Sequence, residues 1–423
     1  MKVKFLLMLA AAGLWAQDKR TLTIEEAEKI ALDNHPRVAA AKLGAAAAKE
    51  VARQAKASLY PFLSGAVSGS TAVENSLIGA GALNTSSLWE RFGLGMALTH
   101  NLYDFGRTSS LVRSAEQRAE AQAEGINVTR AAVVLRVRQA YYQALLAEAA
   151  RNVAEETVEA RRVTLKQIRA LTESNLRSTL DLSFAEVSVS EAELLLFQAE
   201  SLSSAALVEL AAAMGYQEEP NFRPAEIKDL PLMEKEVQPL VAQAMADRPE
   251  IAVARKSLQS ARSLAFSESR LAWPSVTAAG VGGFIPTGDA RLKDRYGAAG
   301  FTVSVPVFNG YLNNARKQEA ELRSLAIEQE LRDLEIRIAS EVRTAWLDTG
   351  NAWRRIEVTA KLLDQATRTL KLARSRYELG LGNIVEFTQA ELSRTSAEIA
   401  NATARYGYLI RRAQLDYQAG KLR

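Results

Sequence analysis

The side chains on which enzymes usually rely are scarce in this 423-residue chain. It has no cysteine and only two histidines, His35 and His100. Disulfides, thiolate metal sites, cysteine nucleophiles and a lipid on an N-terminal cysteine are excluded, and little remains for metal or imidazole chemistry. No Gly-x-Ser-x-Gly elbow and no phosphate loop occurs. Gly280-Val281-Gly282-Gly283 lacks the strand-to-helix context of a dinucleotide site and reads as glycines in a strand or loop. The residues whose type and spacing carry chemistry are aromatic. Tyr60, Phe62, Tyr103, Phe105, Trp273, Phe308 and Tyr311 stand at matching ends of four short segments, and Trp89, Phe92, Phe284 and Tyr296 stand near the opposite ends. Two bands of amphipathic rings around an apolar zone suit the two faces of a membrane. A soluble hairpin with aromatics capping a core is the rival reading.

Those bands need strands between them. Residues 91–102 alternate: Phe92, Leu94, Met96, Leu98 and Leu102 share one face with His100, against Arg91, Gly93, Gly95, Ala97, Thr99 and Asn101. Within a second strand expected at 296–307, residues 299–307 behave alike, with Phe301, Val303, Val305 and Val307 against Gly300, Thr302 and Ser304. Partner strands are expected at 62–73 and 275–286, richer in Gly and Ser. Segments of roughly 9–12 residues with period two fit tilted membrane strands.

The strands are embedded in a duplicated helical frame. Asn34-His35-Pro36-Arg37-Val38 matches Asp247-Arg248-Pro249-Glu250-Ile251, and Tyr60-Pro61 matches Trp273-Pro274. At this offset of 213, eight of 36 positions are identical, five of them alanine. Further on the offset is 205, where Glu173, Leu176, Ala185 and Glu186 match Glu378, Leu381, Ala390 and Glu391. The order of elements argues more strongly than these identities. Each half reads helix (36–59; 249–272), two strands, a long helix (107–173; 311–378), a tip (174–177; 379–382) and a return helix (178–214; 384–418). The repeats span 36–215 and 249–418. They are preceded by an N-terminal segment 17–35, joined by a proline-rich linker 216–248 and followed by a tail 419–423. A rod of about 67 residues, roughly 100 Å at 1.5 Å per residue, cannot bury an apolar stripe against a compact core and needs neighbouring rods.

Residues 1–16 read as a secretory leader: Lys2 and Lys4, an apolar run from Phe5 to Trp15, and Ala16 before the cut. A short membrane anchor is the alternative. After residue 16 no apolar run reaches the ~18–20 residues of a membrane helix, and mean hydropathy is −0.10. Without the leader the charge falls from +4 to +2, with 51 basic against 49 acidic residues. No basic run occurs, so nucleic acid is not an expected partner.

Four strands cannot close a barrel, and open edges do not survive in lipid. Closure demands several chains: two would give eight strands and a filled interior, three would give twelve and a lumen. Small and polar inward residues favour a lumen.

This pattern resembles the TolC-like outer membrane efflux protein (outer membrane factor) family over nearly the whole mature chain. The resemblance rests on Leu22-Thr-Ile-Glu-Glu-Ala27, Asn34-His35-Pro36, Tyr60-Pro61, Trp273-Pro274, Leu102-Tyr103-Asp104-Phe105-Gly106, Val307-Phe308-Asn309-Gly310 and Tyr377-Glu-Leu-Gly-Leu-Gly-Asn-Ile-Val-Glu386. It implies a mainly α fold, with a long antiparallel coiled-coil barrel and four transmembrane strands per chain. A homotrimer would share a 12-stranded β-barrel in the outer membrane and extend a tunnel into the periplasm. It also implies a periplasmic adaptor (membrane fusion) protein and an inner-membrane RND or ABC pump as partners, outer membrane lipid around the barrel, no cofactor and no catalysis.

By the same resemblance, Ser174, Asn175, Leu176 and Arg177, with Leu379, Gly380, Leu381 and Gly382, match the tips that meet the adaptor. Asn175 replaces the usual glycine but tolerates positive φ. Glu386 and Gln389, at i and i+3 on one helical face, match the entrance constriction. Tyr377 and Asp181 match a hydrogen bond that holds the entrance closed. Gly382 stands where an arginine supplies a second restraint. The bland reading is that Glu386 and Asp181 are solvated helix-surface acids. The competing whole-protein reading is a periplasmic coiled-coil structural or adaptor protein without a barrel; an exported enzyme is disfavoured by the missing site chemistry.

Overall fold

A computed structural model of the chain describes residues 20–70, 79–80, 83–84, 91–217, 222–227, 229–286 and 293–422. The leader 1–16, positions 71–73 of the first expected strand, and Trp89 lie outside these residues. The elements run β1 (Arg20–Leu22), α1 (Ile24–Asn34), α2 (Pro36–Ala57), β2 (Phe62–Ser70), β3 (Gly79–Ala80), β4 (Leu83–Asn84), β5 (Arg91–Tyr103), α3 (Arg107–Glu173), α4 (Thr179–Met214), β6 (Phe222–Pro224), α5 (Gln238–Asp247), α6 (Pro249–Ser269), β7 (Ser275–Phe284), β8 (Arg295–Ser304), α7 (Leu312–Glu378) and α8 (Ile384–Gln418). Helix–strand–strand–long helix–return helix thus occurs twice.

Local chemistry explains the small boundary differences. α2 and α6 stop short of 59 and 272 because tighter i→i+3 turns replace the last helical turn. Ser58, Leu59 and Tyr60 N–H donate to Ala55, Lys56 and Ala57 O, and Arg270 and Trp273 N–H donate to Ser267 and Arg270 O. β7 and β8 stop before Pro286 and Pro306, which offer no N–H to a ladder. α3 begins where Asp104 caps it. Thr108 N–H and Asn101 Nδ2 donate to Asp104 Oδ2 at 3.0 and 2.8 Å, as does the Thr108 hydroxyl.

The chain divides into two compact units, each drawing on both halves. One comprises residues 39–129 and 241–341; the other comprises 1–38, 130–240 and 342–423.

The first unit contains a four-stranded sheet of order β2-β5-β7-β8, antiparallel throughout. Register places like side chains together. Val67, Leu94 and Phe284 lie in one row, and Leu63, Leu98 and Gly280 in another. Ala278 faces Phe301, and Val276 faces Val303. On the opposite side lie Ser64, Ala97, Val281 and Ala298, and Thr99, Ala279 and Gly300. One surface is therefore almost wholly apolar and the other small and polar. Among the described residues the apolar surface is bare: Phe301 is 75% exposed, Val67 73% and Met96 62%. At about 25 cal/mol per Å², such a surface is strongly disfavoured in water. Its aromatic rim is partly assembled, with Phe105 against Tyr103 at 4.8 Å and Trp273 at 4.9 Å, and Phe308 against Tyr311 at 5.7 Å. Below the sheet, serines let α3 and α6 approach closely. Ser114 and Ser260 each donate to the other's carbonyl, at 2.9 and 2.8 Å, and Ser267 donates to Arg107 O at 2.9 Å.

The second unit is built around Tyr141 and Tyr408. Val133, Val137, Leu145, Leu210, Met214 and Leu409 pack with them. The Tyr141 hydroxyl donates to Leu22 O (2.8 Å) and Ala225 O (3.0 Å), tying α3 to the parallel pair β1 and β6. Tyr408 donates to Pro231 O at 2.6 Å, and Arg412 clamps Glu234 at 2.5 and 2.7 Å, so the linker is held against α8. Gly215 closes α4 at φ +87°, where a Cβ would lie 3.0 Å from His35 Cα.

α4 modifies one expectation. It contains an 18-residue window of mean hydropathy 1.3, long and apolar enough to cross a membrane by composition, although only 22% of that window is buried. Residues with little charge but no unbroken apolar run produce this average. Leu180, Val187, Leu194, Phe197, Leu202 and Val208 are exposed along it.

Two outcomes test this description. Phe301→Arg should cost about 2–4 kcal/mol of stability in detergent, whereas Thr302→Arg, on the other face, should cost far less, as read from thermal unfolding; equal effects would contradict the alternation. The second concerns His35, which is buried and whose Nδ1 accepts from Arg37 N–H at 3.1 Å. Burial, then Arg37 and Arg136, hold its pKa below 6.5. The unfolded chain binds this proton more readily, so the contribution is full above pH 6.5 and is lost as pH falls below it. Thermal midpoints measured from pH 7.5 to 5.5 should therefore fall less steeply for His35→Gln than for the wild type.

Candidate entrance site at the helical tips

The two tips share one backbone solution. After α3, Leu176 N–H reaches back to Leu171 O (2.8 Å) and Asn175 N–H to Thr172 O (2.9 Å); after α7, Leu381 N–H reaches Arg376 O (2.8 Å) and Gly380 N–H reaches Tyr377 O (3.0 Å). Both are Schellman closures, which need one residue in the left-handed region. Asn175 supplies it at φ +59° and Gly380 at +72°. Each return helix is then capped by a side chain: Ser178 Oγ accepts from Asp181 N–H at 3.1 Å, and Asn383 Oδ1 from Glu386 N–H at 2.8 Å. Ser174, Leu176, Leu379 and Leu381 are exposed, and Arg177 and Gly382 are half-buried.

Beneath the tips sits a small core of Ile168, Ala185, Tyr377, Ile384 and Phe387. Tyr377 is its centre. The Tyr377 and Phe387 rings stack with centroids 5.5 Å apart at 7°. The Arg177 guanidinium lies 4.2 Å from the Tyr377 ring centroid and donates to Tyr377 O at 2.5 Å. Tyr377, Phe387 and Arg177 border a cleft of about 450 Å³ with Ile168 and Leu171.

The expected hydrogen bond between Tyr377 and Asp181 is not made. The Tyr377 hydroxyl oxygen is buried with no partner among the described residues. Burial pushes its pKa up, the Asp181 charge adds to this, and Arg177 opposes it. The ring packs in the apolar core beside Phe387.

Glu386 and Gln389 project from the exposed side of α8, while their neighbours Phe387 and Ala390 are buried. Glu386 is not a lone acid. Arg376 Nε lies 3.5 Å from Glu386 Oε1, and Arg376 Nη2 donates to Leu381 O at 3.2 Å. A Cβ on Gly382 would sit 3.3 Å from both Arg376 Cβ and Glu386 Oε2, so the missing side chain at 382 leaves room for this pair. The pair is exposed, and its worth is at most about 1 kcal/mol. Sequence reading missed Arg376 and Phe387; the buried-exposed alternation of α8 could have marked Phe387, but nothing local marks Arg376. Among the described residues no group of three or more His, Asp or Glu could hold a metal ion.

The tip geometry makes a direct stability prediction. Asn175→Gly should be neutral or stabilising, whereas Asn175→Val should cost about 1–2 kcal/mol, because a β-branched residue resists the left-handed region. Thermal unfolding of the detergent-solubilised protein measures both; a harmless valine would contradict the Schellman closure.

Comparison with known proteins agrees with this architecture. The outer membrane efflux protein family profile matches residues 29–216 and 240–421. Outer membrane protein OprJ of Pseudomonas aeruginosa is 26% identical over 388 residues, spanning 88% of this chain and 78% of that protein. The fold is also that of the outer membrane protein VceC of Vibrio cholerae (TM-score 0.78, 20% identity, 94% of this chain and 96% of that one). It matches the Campylobacter jejuni CmeC outer membrane channel as well (TM-score 0.82, 17% identity, 94% and 85%). The mainly helical fold, the paired strands and the two tips thus converge with the sequence match, and the chain belongs to the outer membrane efflux protein family.

Proposed function

We propose that three copies of this chain form an exit duct that conducts cargo passively from an inner-membrane RND or ABC pump, through a periplasmic adaptor, to the exterior. The observation that carries this reading is the bare apolar face of a four-stranded sheet whose two edge strands, β2 and β8, have no partner among the described residues. Lipid satisfies the face, and sister strands satisfy the edges. Three sheets give twelve strands, enough to leave a lumen lined by the small and polar face.

The exposed apolar residues of α4 suit contact with the helices of a neighbouring copy. The tips, with Leu176, Leu379 and Leu381 outermost, suit an adaptor's helical hairpin. Tyr60, Phe62, Tyr103, Phe105, Trp273, Phe308 and Tyr311 suit the interfacial girdle. Glu386 and Gln389 would then line the entrance, with the Glu386 charge partly cancelled by Arg376.

That cancellation gives the test a sign. In planar bilayers Glu386→Gln should weaken cation selectivity and block by multivalent cations, whereas Arg376→Gln should strengthen both. Identical selectivity in all three proteins would remove Glu386 from the constriction. Failure of the wild-type protein to form channels, together with recovery as a soluble monomer, would favour a periplasmic coiled-coil protein instead.

A further inference from the structure

Arg270 caps the end of α6, just ahead of Trp273. Its guanidinium carbon lies 4.6 Å from the Phe266 ring centroid and 4.7 Å from that of Trp273, and Trp273 in turn packs on Phe105 at 4.9 Å. Among the described residues Arg270 pairs with no carboxylate, and its Nε is buried without an acceptor. The acids nearest in sequence to it and to Arg107 are already engaged. Glu268 meets Arg316 Nε at 2.9 Å, and Asp104 accepts from Thr108 N–H and Asn101 Nδ2. Ser267 Oγ donates to Arg107 O at 2.9 Å, which brings the first residue of α3 beside the end of α6. The Arg107 side chain is exposed and also pairs with no carboxylate among the described residues. Two cations thus stand at the aromatic rim without a compensating acid. The duplicated positions hold Ala57 and Leu312, so only one of the two strand junctions carries this pair.

We propose that Arg270, with Arg107 beside it, binds the headgroup phosphate of an anionic phospholipid at the helical end of the sheet. This rests on reading the sheet as covered by lipid and its aromatic rim as the interfacial girdle. Aromatic belts sit at headgroup level, so a guanidinium packed on a belt tryptophan stands at the depth of the phosphates. Contact with the rings fixes the guanidinium and leaves its in-plane donors to meet two phosphate oxygens at once, which an ammonium cannot do. Phe266 and Trp273 are each 45% exposed. They offer an apolar floor to the glycerol and upper acyl chains, a contact that free phosphate would not use.

Native mass spectrometry of the full-length protein, released from detergent, counts bound lipids and reads the oligomer in one spectrum. Phosphatidylglycerol, phosphatidylcholine and inorganic phosphate are titrated separately. The wild-type protein should bind one phosphatidylglycerol per chain ahead of any further lipid, and Arg270→Gln should weaken that binding roughly tenfold. Arg107→Gln should weaken it less. Arg270→Lys, and Trp273→Leu, which keeps both charges and removes a ring, should fall between Arg270→Gln and the wild type. Lys42→Gln, about 22 Å along α2 from its end, should bind as the wild type does. Undiminished binding in Arg270→Gln, or an equal loss in Lys42→Gln, would overturn the site. Equal uptake of phosphatidylcholine would contradict selection of an anionic headgroup, and displacement by an equal concentration of inorganic phosphate would contradict lipid as the ligand. If Arg270→Gln does not assemble, wild-type affinity in both Arg270→Lys and Trp273→Leu would refute the proposal. A trimer without lipid preference removes the site alone, whereas a wild-type monomer recovered without detergent removes the duct and the site with it.

Discussion

Unpaired backbone is what lipid does not tolerate, and most features of this chain follow from that constraint. Every peptide N–H and C=O inside hydrocarbon must find a partner within protein. The sheet satisfies its interior through β5 and β7, and its edge strands β2 and β8 have no partner among the described residues. Cross-strand register then does the sorting: Val67, Leu94 and Phe284 fall on one side, and Ser64, Ala97 and Ala298 on the other. A slip of one residue would exchange these surfaces. The face that would be a liability in water becomes the surface that lipid covers.

The helical parts solve a different problem. Long helices with few large apolar residues gain little from a central core, so they rely on close approach and local polar ties. The reciprocal Ser114–Ser260 bonds and the Tyr141 and Tyr408 hydroxyls bonded to linker carbonyls are such ties. Each small polar group is satisfied by backbone, which makes burial of a serine or tyrosine hydroxyl tolerable. The same economy operates at the tips, where two Schellman turns and two side-chain caps leave no long loop that could fray.

Much of this was legible in the sequence because it is local. Period-two alternation fixes strands, proline at 36, 61, 249 and 274 fixes helix limits, and asparagine tolerates the left-handed turn that glycine makes at the other tip. The tip contacts were not legible. Arg177 and Tyr377 are 200 positions apart, and no spacing rule links a guanidinium to a carbonyl at that distance. Arg376 and Glu386 meet because the chain reverses between them. The Tyr377–Asp181 bond was expected from resemblance, whereas the ring packs against Phe387 and Arg177 and its hydroxyl has no partner among the described residues. The apolar average of α4 was missed because its apolar residues are spread rather than contiguous.

The central claim, that copies of this chain close one another's sheet edges, has a direct measurement in a protein free of cysteine. Single-cysteine pairs can place one thiol at Ser64 on β2 and another at Ala298, Gly300 or Thr302 on β8. Within one chain these strands lie three spacings of about 4.8 Å apart, beyond the ~7 Å limit for a disulfide, so any bridge must join two copies. Oxidation in the cell envelope should give a ladder that ends at a covalent trimer for at least one pair. Monomers for every pair would contradict the shared barrel, and a ladder ending at two would contradict its size.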